Sequence, residues 1–203
     1  MKKYYFLFSF LAVLLSFLSC EKSKPLKING YGNLKKDSLS VALNLEDFSS
    51  FNELLNKIDS VFCTDSVPKI VFENKGELKS IIPYGACSQI RKPFLLKLKN
   101  TIQISNDSIF KYYDYLFPLD SLKIIMRKDL LNNEEDERYC QSPKKYLIWV
   151  HVDEENLQDL SKTLDVLTEI YEEIMNDKNI QIEFDIFDKV PIPPPPPQLL
   201  SDF

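Results

Sequence analysis

Three cysteines and a lone histidine are the side chains in the body of this 203-residue chain best suited to covalent or metal chemistry. Cys63, Cys87 and Cys140 form no C-x-x-C pair and His151 is the only histidine, so a tetrahedral zinc site lacks its paired ligands. Cys140 with His151 would make a nucleophile and its base, yet the local signatures of cysteine hydrolases are absent around both. On a strand, His151 alternates with Trp149 and Asp153 on one face. It is then either an acid or base beside Asp153, or a packed and hydrogen-bonded strand residue, which is the commoner case. Tyr112, Tyr113, Tyr115 and Phe117 offer flat rings, three of them with polar tips, that suit stacking on a sugar or peptide. The plainer reading is a strand interleaving core and rim aromatics. Glu134, Glu135, Asp136 and Glu137 are consecutive acids without the glycine on which a calcium loop turns, and they read as a solvated acidic loop. These residues call for no catalytic site, no metal and no cofactor.

The first twenty residues are more specific. Lys2 and Lys3 precede residues 4–18, an almost wholly apolar run broken only by Ser9 and Ser16. A bilayer-spanning helix needs roughly 20 apolar residues and a signal h-region about 7–15, so the run fits a signal peptide better than a permanent anchor. Phe17-Leu18-Ser19-Cys20 resembles the lipobox of bacterial lipoproteins, although Leu18 is bulkier than the usual residue there. The resemblance implies cleavage before Cys20, acylation of that cysteine, and anchoring to membrane lipid without crossing it. It places the mature protein in the cell envelope, on the outer membrane rather than the inner, facing periplasm or exterior. Several acyl chains, at about 0.8 kcal/mol per buried methylene, hold such a protein stably. The alternative is an uncleaved anchor with an incidental cysteine.

Without residues 1–19, 184 of the 203 residues remain, enough for one large domain or two small ones with real cores. The formal charge of −5 becomes −7 when Lys2 and Lys3 leave, and no basic cluster offsets it, which argues against a nucleic-acid partner. Acylation of Cys20 leaves Cys63, Cys87 and Cys140, an odd number for an oxidising compartment. One disulfide allows three pairings. Cys87 with either neighbour is expected, because Cys63 and Cys140 both fall near element ends; three unpaired buried thiols is the other outcome.

The elements that would position these residues follow from periodicity. Alternation over 38–43 predicts a strand, Ser50-Phe51-Asn52-Glu53 a capping box, and Phe51, Leu54, Leu55, Ile58 and Phe62 one face of a helix. Strands over 69–73 and 78–84 flank an Asn74-Lys75-Gly76 turn. Residues 88–100 are ambiguous, with 94–98 a possible strand at the junction between two units. Thr101 to Ser105 alternates as a strand, Asn106-Asp107 turns, and 109–115 returns as its partner. Pro118 suits a first helical turn, with Leu119, Leu122, Met126 and Leu130 continuing at helical spacing. Residues 146–152 read as a central strand, Asp153 as the N-cap of a long helix through Ile174, and 180–187 as a last strand. Pro191-Ile192-Pro193 through Pro197 favours an extended polyproline rod, to be read as an inert spacer or as a ligand for an aromatic groove.

The expected fold class is therefore α+β: signal peptide 1–19, tether 20–37, a β-α-β-β unit 38–99, a β-β-α-β-α-β unit 100–188, and a proline-rich tail 189–203. The second unit, with Ile102-Gln103-Ile104-Ser105-Asn106-Asp107, then Leu119-Asp120-Ser121-Leu122, then a strand ending in Val152-Asp153 before the long helix, resembles the periplasmic domain of the ExbD/TolR family of biopolymer transporters. That family transduces protons through an aspartate in an uncleaved membrane helix, and residues 4–19 hold no acid, so the resemblance does not extend to proton coupling. What it implies is a small envelope domain that contacts other proteins. Function is expected to be non-enzymatic binding or scaffolding at the envelope with an envelope protein as partner. The alternatives are an accessory subunit of an ExbD/TolR-like transport complex and an envelope hydrolase or thiol enzyme.

Overall fold

A computed structural model describes residues 28–90, 97–111, 115–153 and 157–184. The fold is α+β, with two mixed sheets and three α-helices among the described residues.

Alternating apolar residues make β2 (Ser40–Asn44) and β3 (Val67–Asn74) parallel neighbours, Leu43 opposite Ile70, and a parallel pair requires a crossover. The crossover is α1 (Phe51–Phe62), which buries Phe51, Leu54, Ile58 and Val61. Its cap differs by one residue from the sequence pattern. Glu53 N–H donates to Ser50 Oγ at 3.2 Å as expected, but the Glu53 carboxylate accepts from Ser49, through both N–H and hydroxyl at 2.8 Å. β4 (Glu77–Ile82) returns antiparallel to β3 across Lys75 and Gly76, whose φ angles of 51° and 78° suit a two-residue hairpin loop.

β1 (Asn29–Gly32) lies inside the stretch expected to be tether, and it pairs parallel with β4 to complete the order β1-β4-β3-β2. Four residues are too few for alternation to show. Gly32, at φ 88°, is needed there, because a Cβ would stand 2.3 Å from the Ile82 carbonyl oxygen.

The second sheet holds β5 (Thr101–Ser105), β6 (Ser108–Lys111), β7 (Tyr115–Pro118), β8 (Leu147–His151) and β9 (Ile182–Phe184) in the order β7-β6-β5-β8-β9. β5, β8 and β9 are mutually parallel, with α2 (Leu122–Leu130) preceding β8 and α3 (Leu157–Met175) joining β8 to β9. The expected single strand over 109–115 is instead β6 and β7, and the unit reads β-β-β-α-β-α-β. Pro118 is extended (φ −67°, ψ 153°) at the end of β7 rather than helical; an outermost strand tolerates a residue with no N–H. α2 begins only after a 3₁₀ turn, Leu119–Ser121.

The helix expected from Asp153 is described from Leu157, with 154–156 outside the described residues. Asp153 N–H donates to Asn106 Oδ1 at 3.0 Å. The possible strand at 94–98 falls largely outside them too, and Leu98–Asn100 is a 3₁₀ turn. One buried cluster runs through both sheets, from Tyr31, Leu54, Ile70 and Ile81 to Ile104, Ile148, Val150 and Leu164. Tyr84 N–H donates to Ile182 O and Gly32 N–H to Lys178 O, each at 2.7 Å, which ties the first sheet's chain to the rim of the second.

Candidate functional site

Strand register decides which side chains share a face of the second sheet. Ile109 opposes Ile104, which opposes Val150, so these and Lys111, two residues beyond Ile109, share one face. α2 covers that face with Leu122, Met126, Asp129 and Leu130. A lysine and an aspartate are thereby buried together. Lys111 Nζ lies 2.7 Å from Asp129 Oδ2 and also donates to the carbonyls of Lys99 (3.1 Å) and Thr101 (3.3 Å). Asp129 Oδ1 accepts from the Cys140 N–H at 3.2 Å, and the Tyr146 ring stands 5.7 Å from Lys111 Nζ.

Burial dominates the electrostatics of this cluster. It pushes the Asp129 carboxyl up against the pull of Lys111, and it pushes the Lys111 ammonium down against the pull of Asp129. The buried Cys140 thiol is also raised, and it donates to Ser142 O at 3.2 Å. A raised thiol with no solvent access is a poor nucleophile.

Beside the pair a cleft of about 340 Å³ opens between α2 and the outer strands. Phe117, Ile124 and Ile125 wall it, Lys111 and Asp129 lie at its floor, and Ser121, Lys128 and Tyr139 line its mouth. Two further clefts carry more mixed linings. One of about 360 Å³ lies between Phe48, Phe72 and the start of α3, and one of about 230 Å³ lies between α1, Tyr84 and Phe184.

The structure gathers few of the residues singled out from the sequence. Cys63 and Cys87 form a disulfide and Cys140 is a free, buried thiol. His151 lies one residue from Val150 and so on the opposite face of the sheet from Lys111, where it meets the Phe51 ring edge-on at 5.5 Å. Asp59 approaches Cys63 and Cys87, but those sulfurs are bonded to each other, and the Asp59 carboxylate accepts from Ser88 N–H and hydroxyl at 2.7 and 2.8 Å. Of the aromatic run, Phe117 reaches the cleft, Tyr115 sits on β7, and Tyr112 and Tyr113 lie outside the described residues, as does Cys20. In the acidic loop Glu134, Glu135 and Glu137 are exposed, while Asp136 is held at about 2 by hydrogen bonds from Arg138.

The buried Lys111–Asp129 pair escaped the sequence reading, though a signal existed. Asp129 occupies the apolar stripe of α2, three residues after Met126, where an acid requires a partner.

No known protein family, curated protein or solved structure matches the chain. Among the described residues no helix is long and apolar enough to cross a membrane.

Proposed function

We propose that the chain is the precursor of a lipid-anchored cell-envelope protein that binds or scaffolds rather than catalyses. The observation that carries this reading is the uncharged apolar run after Lys2 and Lys3, ending in Phe17-Leu18-Ser19-Cys20. It requires removal of residues 1–19 and acylation of Cys20. A binding role is supported by the largely apolar walls of the cleft beside α2, and by the strand parity that turns His151 away from the sheet face covered by α2, whose Asp129 meets the Cys140 N–H.

Mass spectrometry of the protein from membranes tests the reading. It is sustained by an acylated N-terminal Cys20 and by loss of membrane retention in Cys20→Ser; a chain still beginning at Met1 removes it. Turnover of an envelope substrate, abolished by Cys140→Ala or His151→Ala, would replace binding with catalysis. An accessory role in an ExbD/TolR-like complex is a second reading, favoured by the succession of β8, Asp153 and the long α3. It predicts crosslinks to an integral-membrane motor protein.

A further inference from the structure

In the cleft beside α2 the fold leaves apolar surface open to water under a single sign of charge. Its wall residue Ile124 stands 62 % exposed. Burying such surface is favourable, and nothing at the floor opposes an apolar occupant: Asp129 is matched by Lys111, whose ammonium also reaches two backbone carbonyls. At the mouth the charge is positive. Lys128 is exposed there beside the lining residues Ser121 and Tyr139, and the one carboxylate among the described lining residues is the neutralised Asp129.

We propose that this cleft binds a monomeric single-chain alkyl carboxylate, its chain against Phe117, Ile124 and Ile125 and its head group at Lys128. A volume of about 340 Å³ sits at the small end of ligand pockets. The proposal rests on the reading of the protein as an envelope binding protein and names its ligand class.

Calorimetric titration of the purified protein with decanoate, decanol and decyltrimethylammonium, each below its micelle concentration, tests it. Decanoate binds one per protein and about fivefold more tightly than decanol, the ratio an exposed ion pair supplies at its upper end. Lys128→Gln brings decanoate down to decanol. Ile124→Asp, which sets a charge in the apolar wall, weakens both at least about tenfold. Ile124 and Lys128 are both exposed, so far-ultraviolet circular dichroism of the variants stays that of the parent.

Three results overturn the proposal: decanoate no tighter than the alkylammonium, binding unchanged by Ile124→Asp, or binding seen only with phosphatidylglycerol vesicles and never with monomers, which assigns the face to a membrane surface. Failure here is separable from failure of the broader reading. An acylated Cys20 without decanoate binding removes the ligand class alone, whereas an unmodified Cys20 with decanoate bound removes the anchoring alone.

Discussion

Lys79 Nζ meets Asp165 Oδ1 at 2.5 Å, with side chains only 3 % and 2 % exposed, and this contact fastens the four-stranded sheet to α3. Asn74 Nδ2 donates to the other Asp165 oxygen, Lys75 approaches Asp165 at 3.4 Å, and Glu169 approaches Lys79 at 3.4 Å. Lys79→Met would leave the buried Asp165 charge with the neutral Asn74 and an exposed Lys75, at a cost of about 3–5 kcal/mol. Urea unfolding should show that loss, and Lys79→Met with Asp165→Leu should recover most of it.

The same pair fixes a pH window. Burial works against both charges, but Lys79 and Asn74 outweigh it and hold Asp165 below the usual carboxylate range, while Asp165 and Glu169 outweigh it and hold Lys79 above the usual lysine value. The Asp165 contribution is present above about pH 4 and fades as pH falls through its depressed value; the Lys79 contribution is present below about pH 10 and fades as pH rises through its raised value. The difference in melting temperature between the parent and Lys79→Met should therefore be flat between those limits. A Lys79→Met variant should lose the alkaline decline attributable to this pair.

Lys111 and Asp129 should behave in the opposite sense, because burial wins at both groups. Asp129 favours its neutral form, so its stabilising contribution is greatest below the ordinary carboxylate range and is lost as pH rises through the raised value. Lys111 contributes above the ordinary lysine value and loses that contribution as pH falls through its lowered one. Replacing both, Lys111→Met with Asp129→Leu, should be neutral or stabilising by about 1–4 kcal/mol, whereas Asp129→Asn alone should destabilise. Equilibrium unfolding of the three proteins distinguishes these outcomes.

The disulfide closes a loop of 24 residues, from the end of α1 to the chain beyond β4. Chain-entropy arguments give about 3.5 kcal/mol for a loop of that size, so Cys63→Ser with Cys87→Ser should lose roughly this stability by denaturant titration. Cys140 should resist thiol reagents in the folded protein and react once on unfolding without reductant, because it is buried and unpaired.

The fold was legible wherever one face of an element was apolar. α1, the β3–β4 hairpin, the β5–β6 turn and α3 all stand near their expected places, since Leu54, Ile58, Leu160 and Leu164 repeat at helical spacing and Lys75-Gly76 can take left-handed φ. β1 and β7 were not legible. Each is four residues long and is defined by the partner it pairs with, β4 or β6, which local sequence does not reveal. The candidate site failed for a related reason. Lys111 and Asp129 stand 18 residues apart, and only the crossing of α2 over β6 brings them together. Cys140 and His151 are closer in sequence, yet strand parity turns His151 away from the face of Asp129, which accepts from the Cys140 N–H.

Pro118 has a consequence for assembly. β7 forms the outer rim of its sheet with four residues, one of which has no amide hydrogen to give. Two copies approaching rim to rim would find an interrupted ladder there, so crowding should not zip them into a continuous intermolecular sheet.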